Sequence, residues 1–135
     1  RMPLKVFLSG AIEGVEDYGR FWRKSATRGL HLAGYDVLDP MNIVDVGYQE
    51  PEEIVEKNLF MQRRADIILV EYMLQDRAYI GTDFELAWAK FNNQPAVVFC
   101  CDSNKNRVYL KYMATKLADN LQDAIEYIAI HYPTN

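Results

Sequence analysis

The run Tyr79-Ile80-Gly81-Thr82-Asp83-Phe84-Glu85-Leu86-Ala87-Trp88-Ala89 holds the residues best placed to do chemistry. Gly81-Thr82 reads as a turn that leads directly into a helix, and the first turn of that helix carries two carboxylates, Asp83 and Glu85. Such a turn supplies backbone N–H groups, and a helix N-terminus favours negative charge or a polar ligand. A carboxylate held there can act as a nucleophile or as a base, or it can do no more than complement the helix dipole. A second polar turn, Ser9-Gly10-Ala11-Ile12-Glu13-Gly14, lacks the Gly-x-Gly-x-x-Gly spacing of a dinucleotide site. It reads as a plain strand-to-helix turn. Asp39-Pro40 reads as punctuation after a strand, and Asp66 as a residue that caps or orients a turn.

The elements that must position these residues follow from apolar periodicity. Lys5 to Ser9 reads as a short buried strand that ends at Gly10. Tyr18, Phe21, Trp22, Ala26, Leu30 and Ala33 follow helical spacing, with Gly34 as the stop. Tyr35 to Leu38 is a second strand. Pro51, followed by Glu52 and Glu53, suits the start of a helix that runs to about Arg64. Ile67 to Val70 is a continuous apolar run, as in a central parallel strand covered on both faces. A helix over Thr82–Phe91 and a strand over Ala96–Cys100 follow. The stretch from Asp102 to Arg107 reads as a loop, and 108–117 as a helical segment that leads into a short strand near Lys116-Leu117. Leu121, Ala124, Ile125, Ile128, Ala129 and Tyr132 keep a helical rhythm behind Asp119 or Asn120 as N-cap.

Strand–helix alternation at this spacing predicts right-handed βαβ units and an α/β fold: a doubly wound parallel sheet in a flavodoxin-like or Rossmann-like three-layer sandwich. Ligands of such sheets bind beyond the carboxyl ends of the strands, at the switch point. Ser9 to Tyr18, Asp39-Pro40-Met41-Asn42 and Glu71 to Thr82 should all open onto that crevice.

Composition narrows the function classes. The chain has 135 residues, enough for one domain over 1–135 with a real core. Its formal charge of −4 and the lack of a Lys/Arg block argue against a binder of nucleic acid polymer. No stretch reaches about 18 consecutive apolar residues, so no membrane span is expected. No signal-peptide pattern precedes the first strand, and Cys100 and Cys101 suit buried, reduced thiols, so a cytoplasmic location is expected. Neither cysteine belongs to a Cys/His cluster, and no metal site is expected.

Four segments occur in order: Lys5-Val6-Phe7-Leu8-Ser9-Gly10, Gly34-Tyr35-Asp36-Val37-Leu38-Asp39-Pro40, Ala65-Asp66-Ile67-Ile68-Leu69-Val70, and Gly81-Thr82-x-x-Glu85-Leu86-Ala87-x-Ala89. Together they resemble the nucleoside 2-deoxyribosyltransferase family, whose superfamily also holds the 2′-deoxynucleoside 5′-monophosphate N-hydrolases. The resemblance spans about Lys5 to Phe99. It implies cleavage of an N-glycosidic bond, with the family's nucleophile falling on Glu85. The Glu85 carboxylate would attack C1′ of the deoxyribose and form a covalent deoxyribosyl ester, which a second base or water then resolves. It implies no cofactor and, as partners, a nucleoside or nucleotide, a free nucleobase and a second copy of the chain in a homo-oligomer.

Two departures stand out against that pattern. Where the family carries an Asp-Leu pair, this chain has Asn58-Leu59, and asparagine cannot serve as a general acid near neutral pH. Either Asn58 only orients the base, or another group protonates it, or the activity is weak, altered or lost, which would leave a nucleotide-binding module without catalysis. Six positions before Glu85, where transferases place Asp and N-hydrolases Ser, stands Tyr79. Asp83 or Asp76 then offers a replacement for the sugar contact, and Thr82 with the Gly81 backbone a contact for a 5′-hydroxyl or phosphate. Ser9, Gly10, Tyr18, Asn58, Tyr79, Gly81, Thr82 and Asp83 are the expected substrate-binding residues. Phe7, Phe21, Met41, Asn42 and Asn106 are further candidates. Phe7, Tyr18 and Phe21 are considered for base stacking, although Tyr18 and Phe21 also fit a core-facing stripe. Asn106 or Asn120 would be the Asn that completes a neighbouring subunit's site, with Asn120 better explained as a cap.

Overall fold

The computed structural model describes residues 2–41 and 50–134. Asn42 therefore lies outside the described residues. Five strands, β1 (Lys5–Ser9), β2 (Asp36–Leu38), β3 (Ile67–Tyr72), β4 (Ala96–Cys100) and β5 (Lys116–Ala118), pair in the order β2-β1-β3-β4-β5. Every pairing is parallel. The helices are α1 (Arg20–Leu32), α2 (Pro51–Arg63), α3 (Ile80–Phe91), α4 (Val108–Met113) and α5 (Leu121–His131), with a 3-10 turn at Asn104–Asn106.

Successive strand side chains point to opposite faces, so one apolar run fills two cores. Val6, Leu8, Ile67, Leu69, Val97 and Phe99 pack with Ala26 and Leu30 of α1 and Ala124 and Ile128 of α5. Phe7, Ile68, Val70, Val98 and Cys100 pack on the other face with Met61 of α2, Leu86 and Ala89 of α3 and Leu110 of α4. The result is a three-layer α/β sandwich with the flavodoxin-like strand order. The expected short strand after residue 115 is present as β5, and Asn120 caps α5 by accepting a hydrogen bond from the Asp123 N–H at 2.8 Å. Cys100 is buried, Cys101 is partly exposed, and both are free.

Three boundaries differ from the sequence expectation, each for a local reason. Helix α1 starts at Arg20, because the Asp17 carboxylate accepts from the N–H groups of Gly19 and Phe21 and so caps it late. Tyr18 consequently stays outside the helix at 51% exposed, and Phe21, within it, lies off the buried Arg23-Ala26-Leu30 face at 76% exposed. Helix α3 starts at Ile80, since the Asp83 N–H already closes on the Tyr79 carbonyl at 2.7 Å. Gly81-Thr82 thus belongs to the first helical turn and is not a turn ahead of it. Strand β3 continues two residues past Val70, with Glu71 and Tyr72 paired to Phe99 and Cys100.

Candidate active site

Strand order 2-1-3 sends the chain away from β1 in opposite directions, so the loops leaving β1 and β3 diverge and open a crevice between them. Ser9 is the last residue of β1 and lies opposite Val70, one residue before Glu71. Glu85 reaches this rim from the second turn of α3. The Ser9 hydroxyl donates to Glu85 Oε1 at 2.5 Å, joining two residues 76 positions apart. Burial pushes the Glu85 carboxyl up to about 7, against the Ser9 hydrogen bond and the positive charge of Arg23, which both pull it down. Near neutral pH this group is therefore divided between a proton carrier and a poorly hydrated carboxylate. Ser9 holds Oε1, so a carboxylate in this position would have to react through its second oxygen.

Arg23 lies behind Ser9 and is almost wholly buried. Its Nη1 donates to the Leu8 carbonyl at 3.2 Å and to Asp39 Oδ1 at 3.0 Å, and its Nη2 donates to the Gly10 carbonyl at 3.3 Å. The guanidinium thus fixes the end of β1 on both sides of Ser9. Desolvation lowers its pKa, while Asp39, Glu85 and Glu71 oppose that shift by their charge.

Glu71 links the two divergent loops. Its Oε1 accepts from the Ala11 N–H at 3.2 Å, and its Oε2 accepts from the Met73 N–H and the Tyr79 hydroxyl, each at 2.8 Å. The Tyr79 hydroxyl in turn accepts from the Leu74 N–H at 2.9 Å. Burial and the Glu71 charge raise the Tyr79 pKa, so the phenol remains a donor. Glycine is required at position 10: a Cβ there would come within 2.9 Å of Trp22 Cζ2 and 3.0 Å of Glu71 Cβ. From the other side, Gln62 of α2 donates through Nε2 to the Glu85 carbonyl at 2.9 Å. Gln94 closes the clasp by donating to the carbonyls of Gln62 and Ala65.

The remaining expected site residues fall in three groups. Thr82 is buried one turn before Glu85 on the same side of α3, and Asp83 accepts from the Tyr72 hydroxyl at 2.6 Å. Asn58 is half-buried one turn before Gln62, on the side of α2 that reaches α3. Gly81 is exposed in helical backbone, with nothing within 4 Å of where a side chain would start. Tyr79 is buried against Tyr72, with ring centroids 3.9 Å apart. Phe7 is wholly buried in the core beneath α2, α3 and α4. Tyr18 sits in left-handed backbone (φ 57°) under the Arg20 guanidinium at 5.3 Å, and the exposed Phe21 follows it. Met41 lines a 550 Å³ surface cavity with Asp39 and the basic side of α1. Asn106 is exposed, whereas its neighbour Asn104 is buried and donates to the carbonyls of Tyr72 and Leu74 at 2.6 and 3.0 Å.

The sequence does not mark Arg23 or Gln62 as site residues, and it places Asp39 and Glu71 only as ends of segments that open onto the crevice. A signal existed for Arg23, which stands three and seven residues before Ala26 and Leu30 and so interrupts an apolar stripe with a charge. A carboxylate directly after a buried strand, as at Glu71, was a weaker one. Among the described residues, no cluster of three or more His, Cys, Asp or Glu side chains is arranged to hold a metal ion. Among them, no helix is long and apolar enough to cross a membrane.

No family model matches this chain, and no curated protein does so by sequence. Solved structures do match by fold. A 2-deoxyribosyltransferase from Bacillus psychrosaccharolyticus superposes with a TM-score of 0.76 at 16% identity, covering 97% of each chain. A 2-deoxyribosyltransferase from Leishmania mexicana has a TM-score of 0.76 at 19% identity, covering 96% of this chain and 99% of that one. A CMP N-glycosidase from Clostridium botulinum has a TM-score of 0.65 at 10% identity, covering 94% and 98%. The fold of this chain is that of the 2-deoxyribosyltransferases and of a CMP N-glycosidase.

Proposed function

We propose that the protein cleaves the N-glycosidic bond of a 2′-deoxynucleoside and transfers the deoxyribosyl group to a second nucleobase, with Glu85 as nucleophile. The observation that carries this reading is the largely desolvated, partly exposed Glu85 carboxyl held by the Ser9 hydroxyl at the switch point. The free Glu85 oxygen bonds to C1′ as the C1′–N bond breaks, and the electron pair leaves with the base, which takes up a proton. The transition state is cation-like at C1′, so an adjacent carboxylate stabilises it before bonding to it. The acceptor base then attacks C1′, releases the Glu85 carboxylate and loses its own proton. Asn58 orients the base by hydrogen bonds and does not supply the proton. Thr82 and Asp83 line the sugar side, and Glu71 with Tyr79 holds the loop above it.

The fold likeness to a CMP N-glycosidase favours one second reading, hydrolysis of a nucleoside 5′-monophosphate with water as acceptor. Deoxynucleosides and deoxynucleoside monophosphates, incubated with and without a free acceptor base, separate the two. Base exchange on nucleosides supports transfer, and free base with deoxyribose 5-phosphate supports hydrolysis. A protein that is stabilised by these ligands yet turns over none of them is a binding module, which refutes both. We also propose that it works as a homo-oligomer in the cytoplasm, which sedimentation and fractionation check.

A further inference from the structure

The proposed chemistry leaves one strongly buried group without a task. Arg23 is 2% exposed, sits on α1, and feels the charge of three carboxylates distant in the chain, Asp39, Glu71 and Glu85. Asp39, just beyond β2, makes a direct contact at 3.0 Å and accepts from the Met41 N–H with the same oxygen. Glu71 on β3 and Glu85 on α3 act on it by charge. Two neutral contacts, to the Leu8 and Gly10 carbonyls, bracket Ser9. Among the described residues, the groups that face the Glu85 carboxyl are the Ser9 hydroxyl from β1 and the Arg23 charge from α1. Gln62 from α2 meets only its backbone. Of these groups Arg23 is the cation, and it is the one placed to tune the carboxyl by charge.

Resting on the reading of Glu85 as nucleophile, we infer that Arg23 is its positioning residue, and that Asp39 sets how much of the Arg23 charge the nucleophile feels. The division of labour follows from geometry. The planar fork reaches both carbonyls around Ser9, which aims the hydroxyl at Glu85 Oε1. The same fork spends its Nη1 face on Asp39, so most of its charge is neutralised before it reaches Glu85. A fully exposed Arg23 charge would leave the carboxylate too well stabilised to be a good nucleophile. A missing one would leave it protonated.

Charge tuning and mere scaffolding differ in the sign of what two variants do. Asp39→Asn keeps the acceptor for Arg23 and for the Met41 N–H but removes the neutralising charge. The pair Arg23→Gln/Asp39→Asn removes both charges together, which avoids an uncompensated buried ion and keeps the protein folded even where the single variant is not. The readout is the midpoint of the Glu85 side-chain carbonyl-carbon titration by NMR, identified by its loss in Glu85→Gln. Asp39→Asn should lower that midpoint by roughly one pH unit, and the pair should raise it by roughly half a unit or more. If the single variant does not fold, the pair is read in a Ser9→Ala background, where the hydroxyl is already absent and an upward shift reports the lost Arg23 charge. A midpoint unmoved in the pair, or two variants that shift in the same direction, overturns the inference. Base release measured alongside separates the two claims. Opposite shifts in a protein that releases no base leave the Arg23 assignment standing and remove the nucleophile reading. A base-releasing enzyme with unmoved midpoints does the reverse.

Discussion

Replacing Glu85 by Gln should stabilise the protein in a pH-dependent way, and the size of that effect follows from burial. The folded state raises the carboxyl from its ordinary 4.5 to about 7, so folding favours the protonated form. A group raised in this way contributes stability that is fully present below pH 4.5 and is lost as pH climbs through about 7. With about 1.4 kcal/mol for each pH unit of separation, the native protein loses about 3 kcal/mol between those limits. Glutamine has nearly the same shape and cannot ionise, so the variant loses none of it. The stability difference between Glu85→Gln and the native protein should therefore grow by about 3 kcal/mol from pH 4.5 to pH 8. For a chain of this size that corresponds to a gap in Tm that widens by about 10 °C. Differential scanning calorimetry of both proteins across that range measures it directly. A gap that stays flat within about 1 kcal/mol would mean that the Glu85 carboxyl is well hydrated. The desolvated-nucleophile argument would then collapse with it.

The same ionisation should appear in turnover, with base release by the native protein rising through about pH 7 as the carboxylate forms, and Glu85→Gln inactive throughout. Ser9→Ala removes the one hydroxyl that lowers the Glu85 pKa, so the acid limb of the rate profile should move to higher pH; an unmoved limb would show that the contact is idle. Gly10→Ala forces a methyl group against Trp22 and Glu71 and should cost about 1–3 kcal/mol in urea unfolding, with wild-type stability as the contrary result. Tyr79→Phe strips a donor from Glu71 and an acceptor from the Leu74 N–H. A loss of about 1–3 kcal/mol is expected, and a neutral change would mean that this buried link contributes nothing. Asn58→Asp should accelerate base release if the missing acid limits the rate, and an unchanged rate places protonation elsewhere.

Local pattern was enough for most of the architecture. The runs Ile67 to Val70 and Ala96 to Cys100 are apolar on both faces, which leaves a covered parallel strand as the natural outcome. Boundaries were less legible, because they depend on single hydrogen bonds. Asp17 delays α1 and leaves Tyr18 outside it, and the closure of Asp83 on Tyr79 draws Gly81 and Thr82 into α3. Gly81 and Thr82 therefore form no turn at the helix mouth, and Glu85 meets the end of β1 because of the depth at which α3 sets its second turn.

What the amino-acid order determined by itself was the sheet, its winding and the rim from which Glu85 projects, since apolar periodicity and turn chemistry act over a few residues. Only the tertiary structure decided what Glu85 meets. Ser9 is 76 residues away in the chain, and the Arg23 charge comes from α1, on another element again. A charge placed among apolar residues carries no label for its partner until the strands set their order. Desolvation, which raises the Glu85 pKa, is a property of all the atoms packed around it and belongs to no segment of the sequence.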